Sequence, residues 1–283
     1  MPLKIRTMRK EDLDFAARCT AGVDWPSETH ETFQNFFLHD PSGCFLAERD
    51  GRPAGICIAT AYGRAGFIGE LVVVKEAQGL DLGPRLLEEA VVHLRRRGVE
   101  SILLDAVGRA VPYYESVGFR SVCQSLRFKG AVAGRPDPRV RPMRREDLSE
   151  IFRLDTAGFG EDRSFFLERR LALEPGLARV LERKGRIAGF ILGLKGRGLV
   201  AAGPMVVTPE VEDPLALLTA LAVDAGGAPL RIGVLESNER AAAAFRSLAG
   251  LAGQPGSRRM VLGPSDRPGN SPLCWAVGSP AKG

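Results

Sequence analysis

"GFIGELVVVKEAQGLDLGPRLLEEAVVHLRRRGVESILLDAVGRAVPYYESVGF", Gly66 to Phe119, decides how the chain is built. Apolar residues run almost unbroken from Phe67 to Val74, the pattern of a strand buried on both faces. Gln78 to Gly83 is a glycine-containing turn. From Pro84 to Arg97, leucine and alanine recur at helical spacing among charged residues. Ser101 to Val107 reads as a second buried strand, and a short helix ending at Gly118 follows. A strand entering a helix through a glycine turn aims unpaired backbone N–H groups, and the positive end of a helix dipole, at one spot. That spot suits phosphate.

Outward from this stretch, the chain repeats itself. "IRTMRKEDL" from Ile5 returns as "VRPMRREDL" from Val140, and "ERDGRPAGI" from Glu48 returns as "ERKGRIAGF" from Glu182. "SLRFKG" from Ser125 is echoed by "SRRMVLG" from Ser257. Three matches in order at nearly constant spacing indicate a tandem duplication of a whole domain. Each copy has the same coarse plan. A first strand (Lys4 to Met8; Val140 to Met143) runs into a helix opened by acidic residues, which favour the positive helix end. A second helical region (Glu28 to Leu38; Arg163 to Leu173) precedes a hairpin, 44–48 with 54–60 and 178–182 with 187–194. "GAVAGRPDP" from Gly130 to Pro138 is poor in packing residues and separates the halves. The expected division is therefore residues 1–130, a linker at 131–139, and residues 140–283. A last short strand, Leu273 to Val277, follows a loop and has no evident docking place.

Composition narrows the class. The chain has 283 residues, 45% hydrophobic and 26% charged, as in a soluble globular protein with two cores. No run approaches the ~20 apolar residues that span a bilayer, and the N-terminus carries no apolar signal core. A cytoplasmic protein with no membrane partner is expected. Five cysteines lack any C-x-x-C pairing and three histidines do not cluster, so neither a metal site nor a disulfide framework is expected. The net charge of +5 is modest and aromatics are 7%, too few for a nucleic-acid stripe. Arg95, Arg96 and Arg97 stand where cations favour a helix C-terminus.

The order of strand, glycine turn, helix, strand and "YYESVGF" resembles the acyl-CoA site of the GNAT superfamily of N-acetyltransferases. Its turn usually reads Gln/Arg-x-x-Gly-x-Gly/Ala. The whole chain, through "AYGRAGFIGELVV", "AVPYYESVGF" and "SLRFKG", looks most like the bacterial two-domain acetyltransferases of the YitH type. The resemblance implies an α/β (α+β) protein of two tandem GNAT-like domains, each a mixed, mostly antiparallel twisted sheet flanked by helices. A splayed central strand pair is implied in the first. It also implies acetyl-CoA as co-substrate, with no metal. Leu71, Val72, Val73 and Val74 would face the acyl-pantetheine. Backbone N–H groups of the turn Gln78, Gly79, Leu80, Asp81, Leu82 and Gly83 would face the pyrophosphate, where a Cβ blocks close approach. Arg85 would reach a CoA phosphate or stand in solvent. Asp81 takes the place of the middle glycine. It either turns to solvent or repels the pyrophosphate by up to ~3 kcal/mol at 5 Å and an effective dielectric of 20.

For catalysis, Glu70 is either the carboxylate that binds or deprotonates an amine or an outward residue on an exposed sheet face. A backbone N–H near Val73 would polarise the thioester oxygen. Tyr114 matches the tyrosine of the family's Tyr-x-x-x-Gly-Phe motif, the acid for the departing thiolate, with plain packing as its alternative and Tyr113 in reserve. The second half lacks these parts: Gly203 stands opposite Glu70, "EVEDP" puts Glu210, Glu212 and Asp213 at the turn, and Phe245 replaces Tyr114. Three carboxylates there oppose a dianion. The reading is an N-acetyltransferase for a small-molecule or peptide primary amine. A non-catalytic acyl-CoA-binding or structural protein is the alternative. A polyamine or aminoglycoside acetyltransferase, with an acidic pocket from Asp24, Glu28, Glu31 and Glu70, is another. The duplication makes an internal pseudo-dimer, compatible with a monomer or a homodimer.

Overall fold

The computed structural model describes residues 3–23, 25, 28–279 and 283; Asp24 lies outside the described residues. The first half runs β1 (Leu3–Thr7), α1 (Leu13–Ala21), α2 (His30–His39), β2 (Cys44–Arg49), β3 (Arg52–Ala61), β4 (Ala65–Val73), α3 (Leu82–Arg96), β5 (Ser101–Ala106), α4 (Val111–Ser116) and β6 (Arg120–Gly130). The second repeats it: β7 (Val140–Pro142), α5 (Leu148–Phe159), α6 (Ser164–Leu173), β8 (Ala178–Arg183), β9 (Arg186–Gly196), β10 (Leu199–Val207), α7 (Leu215–Asp224), β11 (Leu230–Leu235), α8 (Glu239–Ser247) and β12 (Leu251–Leu262). β13 (Cys274–Ala276) ends the order. Element limits differ from the sequence expectation by one or two residues.

All the strands join one sheet, in the order β1-β2-β3-β4-β5-β12-β6-β11-β10-β9-β8-β7, with β13 beside β10. The order reads as two copies of one half meeting at β12 and β6. The final strands are exchanged between the copies: β12 pairs with β5, while β6 pairs with β11. A boundary at residues 131–139 therefore divides the chain but not the sheet.

Local sequence explains the layers. α3 buries Leu82, Leu86, Leu87, Ala90 and Leu94, one stripe at helical spacing. It covers one face with Ile68, Leu104 and Phe119. The opposite face carries α1 and α2 through Leu13, Phe33 and Phe36, joined there by Phe159 of α5 and Phe166 of α6. Tyr62, Phe67, Phe159 and Phe166 make edge and stacked ring contacts with centroids 5.4–6.1 Å apart, so the halves interlock by side chains as well as strands. Among the described residues no helix is long and apolar enough to cross a membrane.

A fragment of residues 1–130 lacks β12, so the β5 edge loses its neighbour and β6 its partner β11. Expressed alone, this fragment is expected to show no cooperative thermal transition by circular dichroism, and to regain one when mixed with residues 131–283. A folded, monomeric 1–130 fragment with a sharp transition would show that β6 closes onto β5 unaided, and would contradict the expectation.

Candidate active site

β4 and β5 are parallel and paired only at Ala65–Ser101, Gly66–Ile102 and Phe67–Leu103. Beyond Phe67 they diverge. The cause lies on the other edge of β4, where the register against β3 slips: Ile58 faces Gly69 but Ile56 faces Val72. Cys57 therefore opposes two residues, and Glu70 takes φ +51 in this bulge. A bulge bends its strand and swings the following residues away from the neighbour. Val74 donates its N–H to the Ala54 carbonyl on the β3 side, 2.9 Å away. By strand alternation the main chain of Val73 faces the open edge. Its carbonyl there accepts from Gln78 Nε2 at 3.1 Å. Leu71, Val73 and Val74 are half-buried and Val72 is buried.

The opposite wall of the cleft is β5. Asp105 is half-buried as a residue although its side chain is 0% exposed, so the accessible part is its main chain. The carboxylate points through the sheet into an ion cluster. It accepts from Arg259 Nε of β12 at 2.5 Å, and from Arg127 Nη2 of β6 at 3.0 Å and Ser125 Oγ at 2.8 Å. Burial opposes its ionisation, but the two guanidiniums and these hydrogen bonds hold its carboxyl below the usual carboxylate range.

Glu70 is 4% exposed, so the outward-facing alternative for it does not hold. Cys57 lies near it, and Cys57 in turn lies near Tyr114 of α4. Burial first, then the Glu70 charge, pushes the Cys57 thiol far up. Tyr114 is 9% exposed. Its phenol is likewise raised by burial, with Cys57 and Tyr113 adding to the shift. It stays protonated throughout the physiological range, and its hydroxyl makes no hydrogen bond among the described residues. Tyr113 is half-buried, its phenol raised by burial and then by Asp81 and Glu88, which places it toward the glycine turn instead. The two tyrosines therefore have different neighbours.

At the mouth of the cleft the turn leads into α3. Gly79 has φ +79 and Asp81, the residue before the helix, φ +60, a left-handed geometry that Asp tolerates better than most residues. A Cβ on Gly79 would meet nothing within 4 Å, and on Gly83 only Val73 Cγ2 at 4.0 Å. The space above these backbone N–H groups is open, as an anion cradle requires. Asp81 is exposed, and Leu80, Gly83 and Arg85 are half-buried. Arg85 makes no ion pair among the described residues.

The second half shows what this cleft becomes when closed. β10 and β11 also pair at only three positions, and β10 also bulges against β9, at Gly203–Pro204. Here β13 fills the gap, pairing with β10 at Met205–Ala276 and Val206–Cys274, while the Val277 N–H donates to the Gly233 carbonyl of β11 at 2.9 Å. This is where the last strand docks. Trp275 of β13 packs edge-on against Phe245, centroids 6.4 Å apart, at the position of Tyr114 in the other copy. In the acidic turn, Asp213 pairs with Arg135 of the inter-half segment at 3.2 Å. Of the other acidic residues named from the sequence, Glu31 is exposed and Glu28 is buried within reach of the Arg170 charge.

A parallel pair forced apart by a bulge, with a glycine turn at its mouth, is the hallmark of one family. The chain belongs to the GNAT acetyltransferases. The Acetyltransferase (GNAT) family model matches residues 9–119 and an Acetyltransferase (GNAT) domain model matches residues 151–273. Among relatives, the uncharacterized N-acetyltransferase YitH of Bacillus subtilis is 26% identical over 178 residues, covering 61% of each chain. The mycothiol acetyltransferase of Thermobispora bispora is 35% identical over 136 residues, covering 41% of this chain and 46% of that protein. The matched regions thus span about half to three-fifths of these relatives' lengths. A putative acetyltransferase from Pyrococcus horikoshii shares the fold with TM-score 0.81 at 23% identity, covering 99% of this chain and 96% of that one.

The GNAT resemblance in the sequence marked the turn, Glu70 and Tyr114. It did not mark Asp105, Arg127 or Arg259, although the last two stand at matching places in the echoed segments "SLRFKG" and "SRRMVLG". An arginine repeated inside an apolar strand pattern was the available signal.

Asp105→Asn leaves two buried guanidiniums without a counter-charge and is expected to destabilise the protein by about 3–5 kcal/mol. Because the folded carboxyl is depressed, its contribution is present above the unfolded pKa near 4 and is lost as pH falls through the folded value. Urea unfolding of both proteins at pH 7 checks this; a difference below about 1 kcal/mol would show that the cluster contributes little.

Proposed function

We propose that the first half transfers an acetyl group from acetyl-CoA to a primary amine of a small molecule or peptide, and that the second half does not bind the co-substrate. One contrast carries the reading. The cleft between β4 and β5 is open along its main chain and keeps Glu70 and Tyr114 beside it. The cleft between β10 and β11 is filled by β13 and has Gly203–Pro204 and Phe245 instead. GNAT-fold acetyltransferases use acetyl-CoA, and both named relatives are acetyltransferases.

Acetyl-CoA supplies an activated acyl group on sulfur. The turn from Gln78 to Gly83 holds its pyrophosphate through backbone N–H groups, with Arg85 close enough in the first helical turns to add a cation. Within Leu71 to Val74, the main chain of Val73 on the open edge aligns the pantetheine, and its N–H polarises the carbonyl. Glu70 accepts the amine proton, directly or through a water, freeing the lone pair that forms the new C–N bond. As the C–S bond breaks, Tyr114 donates its proton to the sulfur and is reprotonated from solvent. Burial keeps the phenol protonated at every pH where the protein works, while the same shift makes it a weaker acid than a free tyrosine, so transfer depends on negative charge developing on the sulfur. The partners are therefore small-molecule or peptide amines. A binding-only role is disfavoured because Asp81 adopts a backbone conformation open to it and its side chain is exposed.

Asp81→Gly removes a charge near the proposed pyrophosphate while keeping the left-handed turn. Affinity for acetyl-CoA by calorimetry should rise about three- to tenfold, tenfold being about 1.4 kcal/mol. Weaker binding would mean that the Asp81 carboxylate organises the turn.

Tyr114→Phe should lower kcat by about 10²–10⁴-fold with little change in KM for acetyl-CoA, because the hydroxyl acts on charge that develops only in the transition state. The assay is free-thiol release across an amine library. An unchanged kcat, with chemistry shown to limit the rate, would reduce Tyr114 to a packing residue, and failure of every amine in the library to raise thiol release above hydrolysis would defeat the proposed function itself.

A further inference from the structure

Between α2 of the first half and α6 of the second lies a cavity of about 30 Å³, room for roughly two waters or one carboxylate group. Its walls include Thr32, Asn35, Tyr62, Arg163, Arg170 and Pro204. Pro204 belongs to the β10 bulge, so the cavity opens at the place in the second half that Glu70 marks in the first. The lining differs from that of the first copy: two buried guanidiniums line it, Arg163 paired with Asp155 and Arg170 within reach of the Glu28 charge.

The two arginines are not in the same state. Arg163 is 5% exposed and satisfied, with Nε and Nη2 each 2.8 Å from the Asp155 carboxylate and Nη1 2.8 Å from the Gly283 carbonyl. Arg170 is 7% exposed, and its Nη1 donates to the Gly203 carbonyl and, at 3.5 Å, to that of Gly278. Its Nε and Nη2 make no hydrogen bond among the described residues. Burial pulls its pKa down to about 10, against the opposing influence of Glu28, while Arg163 adds to the depression. A guanidinium carries five donors in a planar fork matched to two-oxygen acceptors. The donors of Arg170 that bond no described residue border the cavity, where a two-oxygen acceptor can engage the fork. Across the cavity, Asn35 supplies a neutral polar group. Asn35 Oδ1 accepts from Arg169 Nε at 2.9 Å, which turns its amide so that the NH₂ group remains available as a donor.

We propose that this cavity binds the carboxylate group of a small organic acid, held by Arg170 with Asn35 and separate from the acetyl-transfer cleft. The bound acid would bridge α2 and α6 and so tie one half to the other. Calorimetric titration of the full chain with acetate, at constant ionic strength set by sodium chloride, tests the site without reference to acetyl-CoA. Saturable binding with one site per chain is expected, weakened about tenfold or more in R170M and also in N35L. If R170M fails to fold by circular dichroism, N35L carries the comparison. Absence of saturable binding in the wild type, or an affinity unchanged in folded R170M (or in N35L should R170M not fold), overturns the proposal.

Discussion

The Asp105 carboxylate is the point on which both halves lean. It sits on β5 of the first half, yet its partners come from both exchanged strands: Arg259 on β12 and Arg127 on β6. Arg259 is fully buried, its guanidinium 5.1 Å from the centre of the Phe67 ring. One carboxylate thus fixes the position of β12 against β5 and of β6 against β12. It also holds rigid the strand whose main chain forms one wall of the cleft. The register shows the second-half counterpart: Arg259 lies opposite Asp105, and Arg127 lies opposite Gly233. A Cβ on Gly233 would stand 2.8 Å from Arg127 Nη1 and 2.7 Å from Val277 Cγ2. Glycine there lets the arginine cross toward Asp105 and lets the last strand approach, so two asymmetries between the copies share one residue.

The bulges explain why the copies diverged as they did. Both clefts open because a central strand gains a residue against its outer neighbour. An open parallel pair exposes unpaired N–H and C=O groups that must find partners. In the first half those groups remain accessible, which is the condition for a ligand that pairs as a strand does. In the second half the chain supplies the partner itself. β13 then demands apolar surroundings, which Phe245 and Trp275 provide, and the Asn238 amide donates to the carbonyls of Pro272 and Cys274 at 3.1 and 3.0 Å. A phenol at position 245 would have to place its hydroxyl against this packing.

Much of the fold was legible in the sequence because its signals are local. Buried strands, the stripe of α3, hairpin glycines and the duplicated segments each follow from spacing within a few turns of chain. The turn at Gln78–Gly83 and the aromatic pair in "YYESVGF" were legible for the same reason. The rest depends on pairing between distant segments. Which strand lies beside β5 is decided by competition between β6 and β12, two strands related by the duplication and alike in pattern, so periodicity does not choose between them. The bulge at Glu70 is equally hidden, since an extra residue in an apolar run leaves no mark until its partner strand is known.

The exchange also gives the second half a reason to persist without a cleft of its own. Remove it and β5 is an edge strand, with Leu103 and Leu104 on its two faces and, between buried layers, a carboxylate that has lost its Arg259 partner. A long apolar edge of that kind invites association with other chains. Retaining the second copy covers the edge, supplies Arg259, and sets Phe159 and Phe166 against the face opposite α3. The corresponding turn of this half carries Glu210, Glu212 and Asp213, which the completion of a sheet tolerates and, under the proposed function, no co-substrate opposes.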